Sequence, residues 1–273
     1  MIKDLNLSNT WALACYAVNK YGIIVPSGPN YTTNIDYIPP LIKEVRCTIE
    51  YGEDAIKQMF NKTIHSLYPH QQGIDEYINQ FIPGTEEYEH GRTFHYSYGL
   101  RLREMKCPFI DDDTNSEYPC TNPMMCNNLV YNENCYLDQL KFVAEHLDPF
   151  NKRQQAVTWV PEIDLPSTIM DEMVQSVPCL RSVRLENYYD KYYVILTTWR
   201  SRDICKASIW NTIGYVNAID QLVQESREKL KQPKLKLVQV VEMIESLHAY
   251  EADWDLLSKV PIDAKSIENC LFI

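Results

Sequence analysis

What the chain lacks narrows its class. Its nine cysteines are odd in number and contain no Cys-x-x-Cys pair, which argues against a disulfide framework and against a zinc ribbon. Cys107, Cys120, Cys126 and Cys135 cluster loosely, but their gaps are irregular. They read as reduced, partly buried thiols and not as a metal site. Positive charge is scarce: 26 Lys and Arg stand against 37 Asp and Glu, for a net −11. An acidic surface repels phosphate backbones and anionic lipid, which argues against a general binder of nucleic acid or anionic membrane. It does not exclude a local basic pocket for one nucleotide. No apolar run approaches the roughly 18 residues of a membrane span. The opening Met1-Ile2-Lys3-Asp4-Leu5-Asn6 has no apolar core before a small-residue cleavage site, so a cytoplasmic protein without a membrane partner is expected.

What is present suffices for one core: 273 residues, 45% of them hydrophobic. The first forty residues, rich in Asn, Tyr, Pro and Ser, read as irregular structure with one short helix over 11–18. Residues 41–65 suggest a strand and a helix. Residues 107–134, with Asp111-Asp112-Asp113, read as a long irregular insertion whose aspartates form a solvated loop. Leu137, Leu140, Val143, Ala144 and Leu147 share a helical face that Pro149 ends. Strands are expected over 155–160, 182–185 and 192–199, the last two joined through Asn187 and Asp190. A long helix over 211–231 buries Ile213, Val216, Ile219, Leu222 and Val223, and a strand follows over 235–241. With no internal repeat, the expectation is a single α+β domain over 1–273, a large mixed sheet flanked by helices.

The chemistry gathers in the second half. Cys179 follows Pro178, Arg200-Ser201-Arg202-Asp203 begins twenty-one residues later, and Asn211 stands eight beyond Asp203. A thiolate is a strong nucleophile, and nearby positive charge favours it. If the two strands between form a hairpin, Cys179 and Arg200 meet at one end of a sheet. Arginine grips phosphate with a planar fork, and a neighbouring hydroxyl adds a donor. Arg200 and Arg202 also read as ordinary surface charges, and Asn211 as a helix N-cap. The amide of Asn211 offers one donor and one acceptor group, which match the O4 and N3–H of uracil.

These residues resemble the thymidylate synthase family, whose pattern is Pro-Cys, then Arg-Ser-x-Asp, then Asn. Lys152-Arg153 before Trp159 resembles the family's Arg-Arg pair, His248-Ala249-Tyr250 its His-x-Tyr, and Tyr98-Gly99 with Arg103 its Tyr-Gly-x-x-x-Arg. The landmarks keep the family order from about residue 70 to 255. Residues 1–70 diverge and lack the Arg-x-x-Thr-Gly phosphate loop. Leu180 replaces the usual His, Lys152 an Arg, and Trp199 a Gln. The overall shape is closest to the archaeal-type branch.

The resemblance implies that Cys179 attacks carbon 6 of dUMP and that a methylene group passes to carbon 5. The donor would be 5,10-methylenetetrahydrofolate or a methanopterin-type analogue, with dTMP the product. It implies that Arg200 and Ser201 hold phosphate and that Lys152 and Arg153 reach the phosphate of a homodimer partner. Asn211 would fix the base, and His248 and Tyr250 the sugar. Asp203 would bind the pterin, Tyr98 would sit near the departing carbon 5 proton, and Glu76 would organise water around the base. Phe272 and Ile273 would close over the site. Two other readings stay open: a dUMP or dCMP hydroxymethylase, and a nucleotide-binding homologue without turnover.

Overall fold

A computed structural model describes residues 2–4, 6–27, 40–69, 73–91, 97–106, 136–150, 155–159, 164, 178–262 and 267. The insertion over 107–134 with its cysteines and aspartates, Lys152 and Arg153, and the C-terminal Cys270, Phe272 and Ile273 lie outside the described residues.

Among the described residues an eight-stranded mixed sheet organises the single α+β domain. Its strands are β1 (Ile2–Asp4), β2 (Ile23–Pro26), β3 (Leu41–Tyr51), β6 (Gln155–Val157), β7 (Leu180–Tyr188), β8 (Tyr192–Trp199), β9 (Arg202–Asp203) and β10 (Lys236–Tyr250). The main path runs β1-β3-β10-β8-β7-β6. The remaining pair, β4 (Met105–Lys106) and β5 (Tyr136–Leu137), forms a small separate ladder. The helices are α1 (Leu7–Tyr21), α2 (Glu53–Phe60), α3 (Ile74–Asn79), α4 (Glu86–His90), α5 (Tyr98–Arg103), α6 (Gln139–Glu145), α7 (Ser208–Lys229) and α8 (Trp254–Lys259). No helix among the described residues is long and apolar enough to cross a membrane.

Two expectations from sequence are corrected. The first forty residues are more regular than their composition suggests. The Asn6 side chain accepts from the Asn9 N–H and caps α1, which runs past the expected 11–18 to Tyr21. Leu7, Trp11, Leu13, Ala14, Cys15 and Val18 on it are all buried, so tertiary packing holds a helix that amphipathic periodicity hides. The strand expected over 235–241 continues to Tyr250. The charged Glu242 interrupts its apolar pattern, yet the strand is paired on both sides, antiparallel to β3 and parallel to β8 and β9.

The two faces of the sheet differ. Tyr193, Ile195 and Trp199 on β8 and Val240, Glu242 and Ile244 on β10 are almost fully buried. This face meets α7: the Tyr193 hydroxyl donates to Asp220 at 2.6 Å, and Trp199 lies 6.0 Å from Tyr215 between ring centres. On the other face Met243 pairs in register with Thr198, which pairs near Ser182, and Val241 pairs with Leu196, opposite Arg184. Leu196, Thr198 and Val241 are half-buried and Met243 is 45% exposed, so this face stands open among the described residues.

Candidate active site

The β7–β8 hairpin builds the centre of the site. Its tight end is set by Tyr189 and Asp190, whose φ angles are 60° and 52°, with Asn187 bracing Asp190 through two side-chain hydrogen bonds. At the opposite end Leu180 pairs with Trp199, and the Arg200 N–H donates to the Cys179 carbonyl at 2.7 Å. The sequence expectation of a hairpin that joins these residues is met: Arg200 Nη2 lies 3.4 Å from Cys179 Sγ.

β8 and β9 both pair with β10, and Arg200 and Ser201 occupy the break between them. Opposite that break β10 is irregular between Ile244 and Leu247. The two interruptions open the sheet into a cavity of about 840 Å³, within the usual range for small-molecule sites. Cys179, Arg200, Ser201, Asp203, Asn211 and His248 line it, together with Tyr98 and Tyr250.

Each wall residue has a defined setting. Ser201 Oγ lies 3.3 Å from His248 Nδ1, and the His248 and Tyr250 rings meet edge to face at 5.4 Å. Burial lowers the pKa of His248, so it stays neutral at physiological pH. Asp203 accepts from the Cys205 and Lys206 N–H groups through Oδ1, while its buried Oδ2 has no hydrogen-bond partner among the described residues. Burial raises its pKa. Cys205 and Asp253 stand close enough to Asp203 to resemble a metal cluster, but Lys206 Nζ lies 3.8 and 4.0 Å from the two carboxylates and supplies the positive charge there. Asn211 is the fourth residue of α7 and not its cap. It accepts a hydrogen bond from the Tyr77 hydroxyl. Tyr98 meets Trp199 edge to face at 5.7 Å.

Other expected residues lie elsewhere. Glu76 is exposed on α3 and is not part of the cavity lining. Arg103, the arginine of the Tyr-Gly motif, is structural: its Nε donates to Asp138, the residue that caps α6. Arg202 is no surface charge. It is 3% exposed and paired with Glu242, and its guanidinium lies 4.2 Å from the Trp199 ring. Trp199, where the family has Gln, therefore covers this buried arginine. Sequence reasoning missed Glu242, Tyr77, Glu44 and Ser246; only an isolated Glu within the apolar strand pattern hinted at the first.

The fold and site together define an α+β protein in which a cysteine–arginine pair and a carboxamide line one cavity of small-molecule size. No protein-family model matches the chain. It is 26% identical over 193 residues to the "Putative thymidylate synthase" of Methanosarcina mazei, which covers 70% of this chain and 67% of the relative. The same name belongs to similar proteins of Methanococcoides burtonii, 28% identical over 71% of this chain and 69% of the relative, and of Methanosarcina acetivorans, 25% identical over 70% and 67%. These relatives support placing the chain in a divergent branch of the thymidylate synthase family.

Proposed function

We propose that the protein converts dUMP to dTMP by reductive methylation. The observation that carries this reading is the convergence of Cys179, Arg200, Ser201, Asn211, His248 and Tyr250 on one cavity from four separate chain segments. Family likeness alone says little about chemistry; the site has to supply it.

In this reading the phosphate sits against Arg200 and Ser201, the sugar hydroxyl against His248 and Tyr250, and the base edge against Asn211. The Cys179 thiolate adds to carbon 6, and the displaced π electrons move toward O4, leaving carbon 5 nucleophilic. When carbon 5 later loses its proton, the sulfur–carbon bond breaks and the ring double bond returns. Tyr98, which meets Trp199 edge to face in the cavity wall, would be the group near that proton. A reduced pterin, methylenetetrahydrofolate or a methanopterin-type analogue, would supply the methylene and the hydride when bound. Asp203 fits such a ring, because its buried Oδ2 lacks a hydrogen-bond partner among the described residues and can accept from a ring N–H.

A homodimer fits two further features. The open sheet face carries Leu196, Val241 and Met243 beside polar groups, the mixture expected of a contact surface. The cavity also holds Glu44, Asp203 and Glu245 against Arg200 and Lys206, Arg202 being neutralised by Glu242. A phosphate dianion in that balance calls for added cations, and Lys152 and Arg153 of a second copy would supply them.

The test is to incubate the protein with dUMP and, in turn, methylenetetrahydrofolate and its methanopterin-type analogue, and to weigh the nucleotide product. A gain of one CH2 is expected. A gain of CH2O would instead mark a hydroxymethylase, and no product with either pterin would contradict the proposal.

A further inference from the structure

The residue beside Glu76 touches the cavity wall from behind, through Asn211. Tyr77 lies on α3, and its hydroxyl donates to Oδ1 of Asn211, which is 6% exposed and in the cavity wall. The tyrosine ring packs 6.1 Å from both Phe81 and Trp210 between ring centres. It also lies against Gly214, three residues along α7 from Asn211. A Cβ at Gly214 would fall 2.7 Å from Tyr77 Cδ1, closer than real contacts allow. Glycine is the poorest helix former after proline, and Gly214 is interior to a 22-residue helix. The close approach of Tyr77 accounts for it.

An asparagine amide presents an acceptor and a donor, and half a turn about its last bond exchanges them. Uracil offers a carbonyl acceptor at position 4 and an N3–H donor. Cytosine offers an amino donor at position 4 and a bare N3 acceptor. One orientation of the Asn211 amide suits each base, so the group that fixes the orientation biases the choice.

We propose that Tyr77 is a positioning residue for base selection. By holding Asn211 Oδ1 it leaves Nδ2 for a position-4 carbonyl, and the second lone pair of Oδ1 for N3–H. The site is thereby biased toward uracil nucleotides over cytosine nucleotides. This inference rests on the reading of the cavity as a pyrimidine-nucleotide site.

Calorimetric titration of the full chain with dUMP and with dCMP tests it, in the wild type and in Tyr77→Phe. The phenylalanine keeps the ring packing and removes only the hydroxyl. The wild type is expected to prefer dUMP, and Tyr77→Phe to narrow the dUMP:dCMP affinity ratio about tenfold, near the worth of one hydrogen bond. Gly214→Ala, which displaces the ring, is expected to narrow it similarly. Equal weakening of both nucleotides, or an unchanged ratio, would assign Tyr77 a packing role and overturn the inference. A wild type that binds both equally would overturn it while leaving the nucleotide site intact. A wild type that binds neither would remove the reading of the cavity itself, and this inference with it.

Discussion

Glu242→Gln isolates the buried charge beneath the site. Glu242 is fully buried on β10 and is paired with Arg202, itself 3% exposed. The hydroxyls of Thr212 and Tyr215 lie 2.8 Å from Oε1, and that of Tyr51 3.1 Å from Oε2. Burial beside this carboxylate raises the pKa of both tyrosines, so they remain donors. Glutamine keeps the shape but removes the charge, and turns one acceptor into a donor facing other donors. The Arg202 guanidinium is then left uncompensated among Trp199, Ser208 and Thr212. Breaking a buried pair from one side costs about 3–5 kcal/mol, a large share of a typical 5–15 kcal/mol total. At about 2–4 °C per kcal/mol, the melting temperature falls by roughly 6–20 °C. Urea unfolding followed by tryptophan fluorescence measures the change. Arg202→Met combined with Glu242→Leu should recover most of the loss, since an apolar replacement leaves no orphan charge. A Glu242→Gln cost below about 1 kcal/mol would refute the reasoning, because a charged pair so buried cannot be that cheap to break.

Three other expectations follow from the geometry. Burial depresses the His248 pKa, so on acidification the unfolded chain takes up the proton first, near 6.5, and stability falls as pH drops through that value. His65 acts in the same direction, and Asp203, raised by burial, acts oppositely but in the carboxylate range. Melting temperatures between pH 7.5 and 5.5 should therefore fall less steeply in His248→Gln; an equal slope would count against it. In Gly99→Ala the new Cβ would lie 1.9 Å from the Gln80 carbonyl oxygen, a backbone atom. That overpacking costs about 1–3 kcal/mol and shifts Tyr98, and an unchanged melting temperature would show that the helix gives way freely. Met243→Lys places a charge on the open sheet face; on the proposed homodimer, sedimentation should show dimers for the wild type and monomers for the variant, and dimers that persist in the variant would move the interface elsewhere.

The legible parts of this chain were those whose signals are local. The β7–β8 hairpin announced itself through alternating apolar residues around Asn187 and Asp190, and with it the meeting of Cys179 and Arg200. The long helix α7 was visible from Ile213, Val216, Ile219, Leu222 and Val223, all of which are buried or nearly so. Structure that depends on distant partners was not legible. Arg202 looks like a surface charge until Glu242, forty residues on, is placed beside it. Toward the end of β10 Glu245, Ser246 and His248 border the cavity and break the apolar pattern, although hydrogen bonding continues to Tyr250. Helix α1 is buried nearly all round, including Thr10, and therefore shows little periodicity. Tyr77 and Asn211 are separated by 134 residues, and only the odd glycine at position 214 hints that something lies against α7.

The central claim is that Cys179 adds to carbon 6 of dUMP and thereby labilises the proton on carbon 5. The direct measurement is tritium release from dUMP labelled at carbon 5, in the presence of methylenetetrahydropterin, by the wild type and by Cys179→Ser. The account predicts release by the wild type in step with dTMP formation. It predicts none above background in the serine variant, which still binds dUMP. Release that survives the loss of the thiol, or a wild type that binds dUMP and pterin together without releasing label, would contradict it.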